Sequence, residues 1–208
     1  GFACDPDADR LVLVDETGSV LSEELTLAIA ADFVLREEKG ALVANLSTSR
    51  VIDDVGAAHG ASVHRSKVGE AHVTALMKET HAAIGGEGNG GVIYPKLHYG
   101  RDAMVGAALV LQTLAEEGLS LSKKAASLPR YFIVKEKVAL KVDFALAEKS
   151  LKKRFSGTVT SIDGIRIDME SGWVHLRKSN TEPVVRIIAE ARSIEEARSL
   201  VKEAGAVL

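Results

Sequence analysis

The sequence predicts an α/β protein: a three-layer α/β/α domain with a mixed, mostly parallel sheet, then a smaller α+β domain with a four-stranded sheet and two helices. Three observations predict it. Between Ser22 and Glu117 helical apolar spacing alternates with short apolar runs of buried-strand type, the pattern of strands joined by crossover helices. Past Pro129 the pattern changes to longer strands with two helices and a hairpin signal. The 208 residues, 46% of them apolar, are enough for one large or two modest cores.

The elements follow in order. Leu25, Ile29 and Phe33 recur at helical spacing from Ser22 to Glu38, and Gly40 closes that segment where a left-handed cap is expected. Residues 41–46 read as a buried strand, Ser49 to about His59 as a helix, 61–65 as a second strand, and Glu70 to Thr80 as a helix. A third strand over 81–84 leads into a glycine-rich stretch, then a long helix from Asp102 to Glu117 ended by Gly118. The first full domain is thus expected over 21–120, a linker over 121–130 with Pro129 as its break, and the second domain over 131–208. The second domain reads as a strand (131–142), a helix (144–155), a hairpin turning at Asp163-Gly164, strands at 173–176 and 184–191, and a last helix capped by Ser193 with Glu196 three residues on.

Composition excludes several classes. A net charge of −3 with both signs mixed gives no basic tail for nucleic acid and no basic membrane patch, so any anion site must be local. The single cysteine, Cys4, cannot form an intramolecular disulfide and fits a reducing compartment, so a cytoplasmic location is the expectation. No apolar run approaches the length of a membrane span. The six histidines show no metal-ligand spacing.

Four motifs carry chemistry. In "DPDADR" three carboxylates, Asp5, Asp7 and Asp9, stand at alternate positions, which an extended backbone points to one side. Like charges so close call for a cation, and a hard divalent ion takes oxygen ligands. A solvated acidic turn is the plain alternative. An EF-hand calcium loop is the sharper one, because Glu16 falls at its twelfth position, but Arg10 stands where that loop needs glycine and the following segment reads as strand. In "GGEGNGG" the glycines make the backbone permissive, and Glu87 and Asn89, an acceptor and an amide, suit neighbouring sugar hydroxyls; a flexible turn is the competing reading. "HRSKVGE" puts Lys67, Gly69 and Glu70 at a strand end, as a ligand-contacting turn or as surface. "RKSNTEP" offers the guanidinium of Arg177, the hydroxyls of Ser179 and Thr181 and the amide of Asn180, a phosphate cradle or else a polar turn whose arginine pairs with Glu182 or Glu190.

Together and in this order, "DPDADR", "KVGE", "GEGNGG" and "RKSNTEPVVRIIAE" resemble the α-D-phosphohexomutases, the family of phosphoglucomutase, phosphomannomutase and phosphoglucosamine mutase. The resemblance covers nearly the whole chain. It implies that residues 1–20 are the end of a metal-binding second domain, followed by the third and fourth domains of a four-domain enzyme. It implies that Asp5, Asp7 and Asp9 bind magnesium, with Arg10 beside the phosphorylated serine of the complete enzyme. Lys67 is implied as catalytic, Gly69, Glu70, Glu87 and Asn89 as sugar contacts, and Arg177, Ser179, Asn180 and Thr181 as the grip on the substrate's non-reacting phosphate. The reaction implied interconverts hexose 1-phosphate and 6-phosphate through a phosphoserine and a bisphosphate. No serine here is followed by the His-Asn-Pro that marks the family's donor serine, so the N-terminal domains are an expected partner and the chain alone is expected to be inactive. A calcium-binding or interaction module without enzymatic activity is the alternative.

Overall fold

The structure is a computed structural model and describes residues 1–139, 143–178 and 184–208. It contains two compact units, Gly1–Pro129 and Arg130–Leu208.

The first unit opens with an antiparallel pair, β1 (Phe2–Cys4) and β2 (Leu11–Leu13), on either side of the acidic turn. A four-stranded sheet follows, built from β3 (Leu42–Asn45), β4 (Val63–Ser66), β5 (Ile84–Glu87) and β6 (Gly91–Ile93) in the order β4-β3-β5-β6. The first three neighbours are parallel and β6 is antiparallel to β5, so the sheet is mixed and mostly parallel as expected. Its helices are α1 (Glu24–Glu37), α2 (Val51–Ala58), α3 (Glu70–Thr80) and α4 (Ala103–Glu117). One apolar cluster joins Leu11, Leu13, Ile29, Val110 and Leu121, while Val43, Val73, Met77 and Ile93 form another.

The expected linker differs. Residues 121–127 form a helix, α5 (Leu121–Ser127), inside the first unit. Its register buries Leu121 and Lys124, and the Lys124 ammonium donates to Asp32 at 2.6 Å and to Glu117 at 2.7 Å. Asp32 also meets His59 Nε2 at 2.8 Å, and Glu117 accepts from Arg36 at 3.0 Å. A lysine that is buried because two carboxylates hold it gives no apolar signal, so the helix was illegible as a core element. No single helix among the described residues is long and apolar enough to cross a membrane.

The second unit is a five-stranded antiparallel sheet, one strand more than the sequence suggests. It comprises β7 (Phe132–Ala139), β8 (Thr158–Thr160), β9 (Ile165–Asp168), β10 (Gly172–Lys178) and β11 (Val184–Ala191), in the order β7-β11-β10-β9-β8. The extra strand is the first arm of the hairpin: Thr158 pairs with Asp168 and Thr160 with Arg166, and Gly164 takes the left-handed φ of +68° within the connection. Two helices, α6 (Phe144–Arg154) and α7 (Ile194–Gly205), complete the unit. Ser193 and Glu196 close the expected capping box. Strand periodicity divides the sheet's faces. Val174, Leu176, Val185, Ile187 and Ala189 join Leu151 and Val201 of the helices in one apolar cluster.

The alternate positions of β10 carry Trp173, His175 and Arg177 on the other face. Trp173 Nε1 donates to the buried Glu190 at 2.7 Å, and the Arg166 guanidinium lies 4.2 Å from the Trp173 ring while bonding Asp168 at 2.7 Å. His175 is fully buried, with Nε2 2.7 Å from the Asp163 carbonyl, so the neutral ring donates from Nε2. Burial pushes its pKa down to about 4; the Asp163 carbonyl opposes this, and Arg166 and Arg177 reinforce it. As pH falls below 6.5 the unfolded chain takes up a proton that the folded ring refuses until about pH 4. Stability that is present above pH 6.5 is therefore lost on the way to pH 4, by roughly 3 kcal/mol in all. Thermal melts between pH 7 and pH 4.5 should show this loss, and His175→Gln should flatten it; an unchanged pH slope in that variant would assign the loss to other groups.

Candidate functional site

The acidic segment is a turn and not the extended run that its alternate spacing implies. The Ala8 N–H donates to the Asp5 carbonyl at 3.0 Å, and Ala8 has a φ of +55°. The turn still collects the carboxylates, because one oxygen from each of Asp5, Asp7 and Asp9 lies within 4.8 Å of the others. Asp5 Oδ1 accepts from the amides of Asp9 (3.2 Å) and Arg10 (3.1 Å), and Arg10 Nε is 3.6 Å from both Asp5 and Asp9. Burial pushes the Asp9 carboxyl up, with Arg101 pulling the other way. Burial raises Asp5 too, but the Arg10 and Asp9 donors and the Arg10 charge outweigh it, and the net direction is down.

Asp9 Oδ1 is buried and has no hydrogen bond among the described residues. A buried carboxylate oxygen lacking a donor, grouped with two further carboxylates, is a donor set that fits a hard divalent cation. Glu16 does not join it. Its carboxylate accepts the Ser122 amide at 3.2 Å and the Ser122 hydroxyl, and the Ser120 and Ser122 hydroxyls hold its pKa down at about 2. The calcium-loop reading needs Glu16 as the bidentate ligand, so this placement removes its main support.

Beside the turn stands Arg101, just before α4. Its Nη2 donates to Asp9 Oδ2, its Nη1 to Glu87 Oε2 at 2.7 Å, and its Nε is 3.5 Å from Glu70 Oε2. Its backbone N–H donates to Glu70 Oε1 at 2.8 Å. Glu87 is 3% exposed, and its other oxygen accepts from Asn45 Nδ2 (2.7 Å) and from the Gly69 amide (3.0 Å). Asp9, Gly69, Glu70 and Glu87 are thus brought together, while Lys67 stands exposed at the start of the same turn. Asn89 is partly buried, and its Oδ1 accepts from the Gly91 amide at 3.2 Å.

The glycine-rich stretch is a tight hairpin, and Gly90 uses the backbone freedom expected of the stretch, with a φ of +89°. Gly85 and Gly86 belong to β5, Gly91 to β6, and residues 88–90 make the turn. Close packing explains these glycines: a Cβ on Gly85 would lie 2.5 Å from Met77 Sδ, one on Gly88 1.8 Å from the Glu24 carboxylate, and one on Gly91 2.4 Å from Arg101 Cδ. Glu24 is itself buried and accepts the Ser49 amide at 2.9 Å, so the turn rests on a fixed polar support. Thr48 Oγ1 adds a bond from the Gly88 amide at 3.0 Å.

In the second unit Arg177 lies at the end of β10 with Arg186 directly opposite on β11, and Lys137 of β7 is opposite Arg186 in turn. Like charges in register across strands repel. The Nε atoms of Arg177 and Arg186 are buried with no hydrogen bond among the described residues, and Asp163 Oδ2 is 4.0 Å from Arg177 Nε. Two such guanidiniums in register can take an anion in forked geometry. Ser179, Asn180 and Thr181 lie outside the described residues.

Two family descriptions match the sequence: "Phosphoglucomutase/phosphomannomutase, alpha/beta/alpha domain III" over residues 22–132 and "Phosphoglucomutase/phosphomannomutase, C-terminal domain" over residues 131–205. The chain belongs to the phosphoglucomutase/phosphomannomutase family. Among its relatives in this phosphohexomutase family, a phosphoglucomutase/phosphomannomutase of Thermococcus kodakarensis is 40% identical over 95% of the chain and 44% of its own length. A probable phosphoglucosamine mutase of Methanopyrus kandleri is 39% identical over 96% of the chain and 45% of its own length. The crystal structure of a phosphoglucomutase/phosphomannomutase family protein from Burkholderia thailandensis superposes with a TM-score of 0.86 at 27% identity, over all of this chain and 46% of that one. The chain spans about half the length of the curated relatives it matches.

Two residues of this chain escape a reading of motifs. Arg101 draws its partners from positions 9, 70 and 87, which only the fold brings together. Arg186 sits inside the apolar run of β11, and a charge at such a position was the available signal.

Proposed function

We propose that this chain is the sugar- and phosphate-binding half of a phosphohexomutase that interconverts hexose 1-phosphate and hexose 6-phosphate. The observation that carries the reading is the convergence of the acidic turn, the Lys67–Glu70 turn and the glycine hairpin on one residue, Arg101. Carboxylates suited to a divalent cation then stand beside an acceptor and an amide, Glu87 and Asn89, suited to sugar hydroxyls.

In this reading Asp5, Asp7 and Asp9 hold magnesium. Bound there, it supplies positive charge that offsets the charge developing on a transferring phosphoryl group. Arg10 and Lys67 add fixed positive charge near the phosphoryl group, Gly69, Glu70, Glu87 and Asn89 orient the ring, and Arg177 with Ser179, Asn180 and Thr181 grips the phosphate that is not reacting. Arg186 joins that grip. The two phosphates of the bisphosphate must exchange places, so the grip positions either end without reacting. The phosphoryl donor is a serine outside these 208 residues, supplied by N-terminal domains of the same protein, and the chain alone turns nothing over. The names of the relatives bracket the sugar as glucose, mannose or glucosamine phosphate.

Isothermal titration tests the reading. The chain should bind magnesium, Asp9→Asn should lose at least tenfold in that affinity, and one of glucose 1-phosphate, mannose 1-phosphate or glucosamine 1-phosphate should bind saturably. Mutase activity should appear when the serine-bearing half of a relative is added in trans. Calcium binding that is indifferent to every sugar phosphate, with no activity in trans, would overturn it.

A further inference from the structure

We propose that Arg101 is a positioning residue through which the metal turn and the sugar hairpin act on each other, an inference that rests on the mutase reading of the site. Its side chain is only 12% exposed and both terminal nitrogens of its fork are engaged, Nη2 with Asp9 Oδ2 and Nη1 with Glu87 Oε2. Three further contacts prevent it from swinging away. Its backbone N–H is held by Glu70 Oε1, the next residue caps α4 through the Asp102 side chain, and the Asp102 amide is tied to the Val92 carbonyl of β6 at 3.0 Å. The aliphatic stem lies against Gly91, where a Cβ would come within 2.4 Å of Arg101 Cδ.

Each carboxylate keeps capacity for a ligand. Asp9 Oδ1 has no hydrogen bond among the described residues. On Glu87, Oε1 takes two donors and Oε2 takes the Arg101 donor, which leaves about one of its roughly four lone-pair positions. A planar guanidinium that holds Asp9 by one oxygen and Glu87 by another transmits orientation between them. Fixing Asp9 with a divalent cation fixes Arg101, and through it the face that Glu87 presents to a sugar. Coupling of this kind is reciprocal: the factor by which magnesium tightens the sugar phosphate is the factor by which the sugar phosphate tightens magnesium.

A lysine in place of Arg101 keeps the charge and loses the fork, so one ammonium cannot hold both carboxylates in a plane. The test is titration of the full chain with glucose 1-phosphate and with glucosamine 1-phosphate, with and without magnesium, in the unaltered protein and in Arg101→Lys. Magnesium should tighten the bound sugar phosphate by about tenfold in the unaltered chain and by no more than about twofold in Arg101→Lys. A direct contact between metal and phosphate would survive the lysine, so equal coupling in both proteins overturns the inference and leaves the mutase reading standing. Absence of coupling in an unaltered chain that binds both ligands does the same. Failure of the unaltered chain to bind magnesium or either sugar phosphate overturns this inference, and it overturns the mutase reading as well when no activity appears with the serine-bearing half added in trans. Should Arg101→Lys not melt cooperatively, Glu70→Gln takes its place: it removes the charge that buttresses the Arg101 Nε, and the coupling should drop there too.

Discussion

Arg186→Met should weaken binding of a hexose phosphate by roughly 10- to 100-fold while leaving the ligand-free chain as stable as before, or more so. Arg186 faces Arg177 on one side and Lys137 on the other in the strand register. Like charges directly opposite are destabilising in a sheet, so removing the middle one relieves repulsion in the absence of an anion. In the presence of a phosphate the balance reverses. A charge-assisted bond contributes about 1.5–3 kcal/mol, which corresponds to the affinity loss given above. Arg177→Ala should lose a similar amount, and the double variant should abolish saturable binding. Titration gives the affinities, and melts with and without inorganic phosphate give the stabilities. A variant that is destabilised without ligand and unchanged in affinity would make Arg186 a structural residue only.

Gly90→Ala should destabilise the first unit by roughly 3 kcal/mol, about 10 °C in Tm for a unit of this size. Gly90 has a φ of +89°, which strains any residue with a side chain, and a Cβ there would lie 2.4 Å from the Leu11 carbonyl oxygen and 3.0 Å from the Leu11 nitrogen. Those atoms belong to a strand whose Leu11 is 1% exposed and whose carbonyl already accepts from Thr26 Oγ1 at 2.8 Å, so they cannot yield. The damage should extend to the acidic turn, which is continuous with that strand, and magnesium affinity should fall with stability. Gly118→Ala is the control. Gly118 also has a positive φ, +63°, but no atom lies within 4 Å of the point a Cβ would occupy there, so only the conformational cost of about 1 kcal/mol remains. Equal melting temperatures for the two variants would show that the clash at Gly90 is absorbed elsewhere.

Local chemistry made much of the fold legible. Ser193 and Glu196 announce a helix because both reciprocal bonds are made within one turn of chain, and residues 70–80 announce one by periodicity. Alternate spacing implies an extended strand for the three carboxylates, whereas the turn at Ala8 is what groups them. What stayed hidden depends on atoms far away in sequence. Gly85, Gly88 and Gly91 look alike as permissive residues, yet each is required by a different neighbour, Met77, Glu24 or Arg101. The helix over 121–127 was hidden because its inward lysine is solvated by Asp32 and Glu117 in place of water. Arg101 was hidden for the same reason from the other side, since its importance lies in three carboxylates that the chain delivers from separate segments.

The hydrogen bond from the Leu11 amide to the Gly90 carbonyl, 3.0 Å long, is one link that crosses from the strand behind the acidic turn to the glycine hairpin. An amide exchanges with solvent only when its bond opens, and this bond opens only when the two segments part. The exchange rate of that single proton therefore reports the free energy of separating them. A ligand that engages either segment without the other leaves the rate nearly unchanged, whereas one that spans both slows it by the factor its own binding supplies. One backbone N–H thus serves as a clock for joint occupancy of the acidic turn and the glycine hairpin, independent of any chemistry performed there.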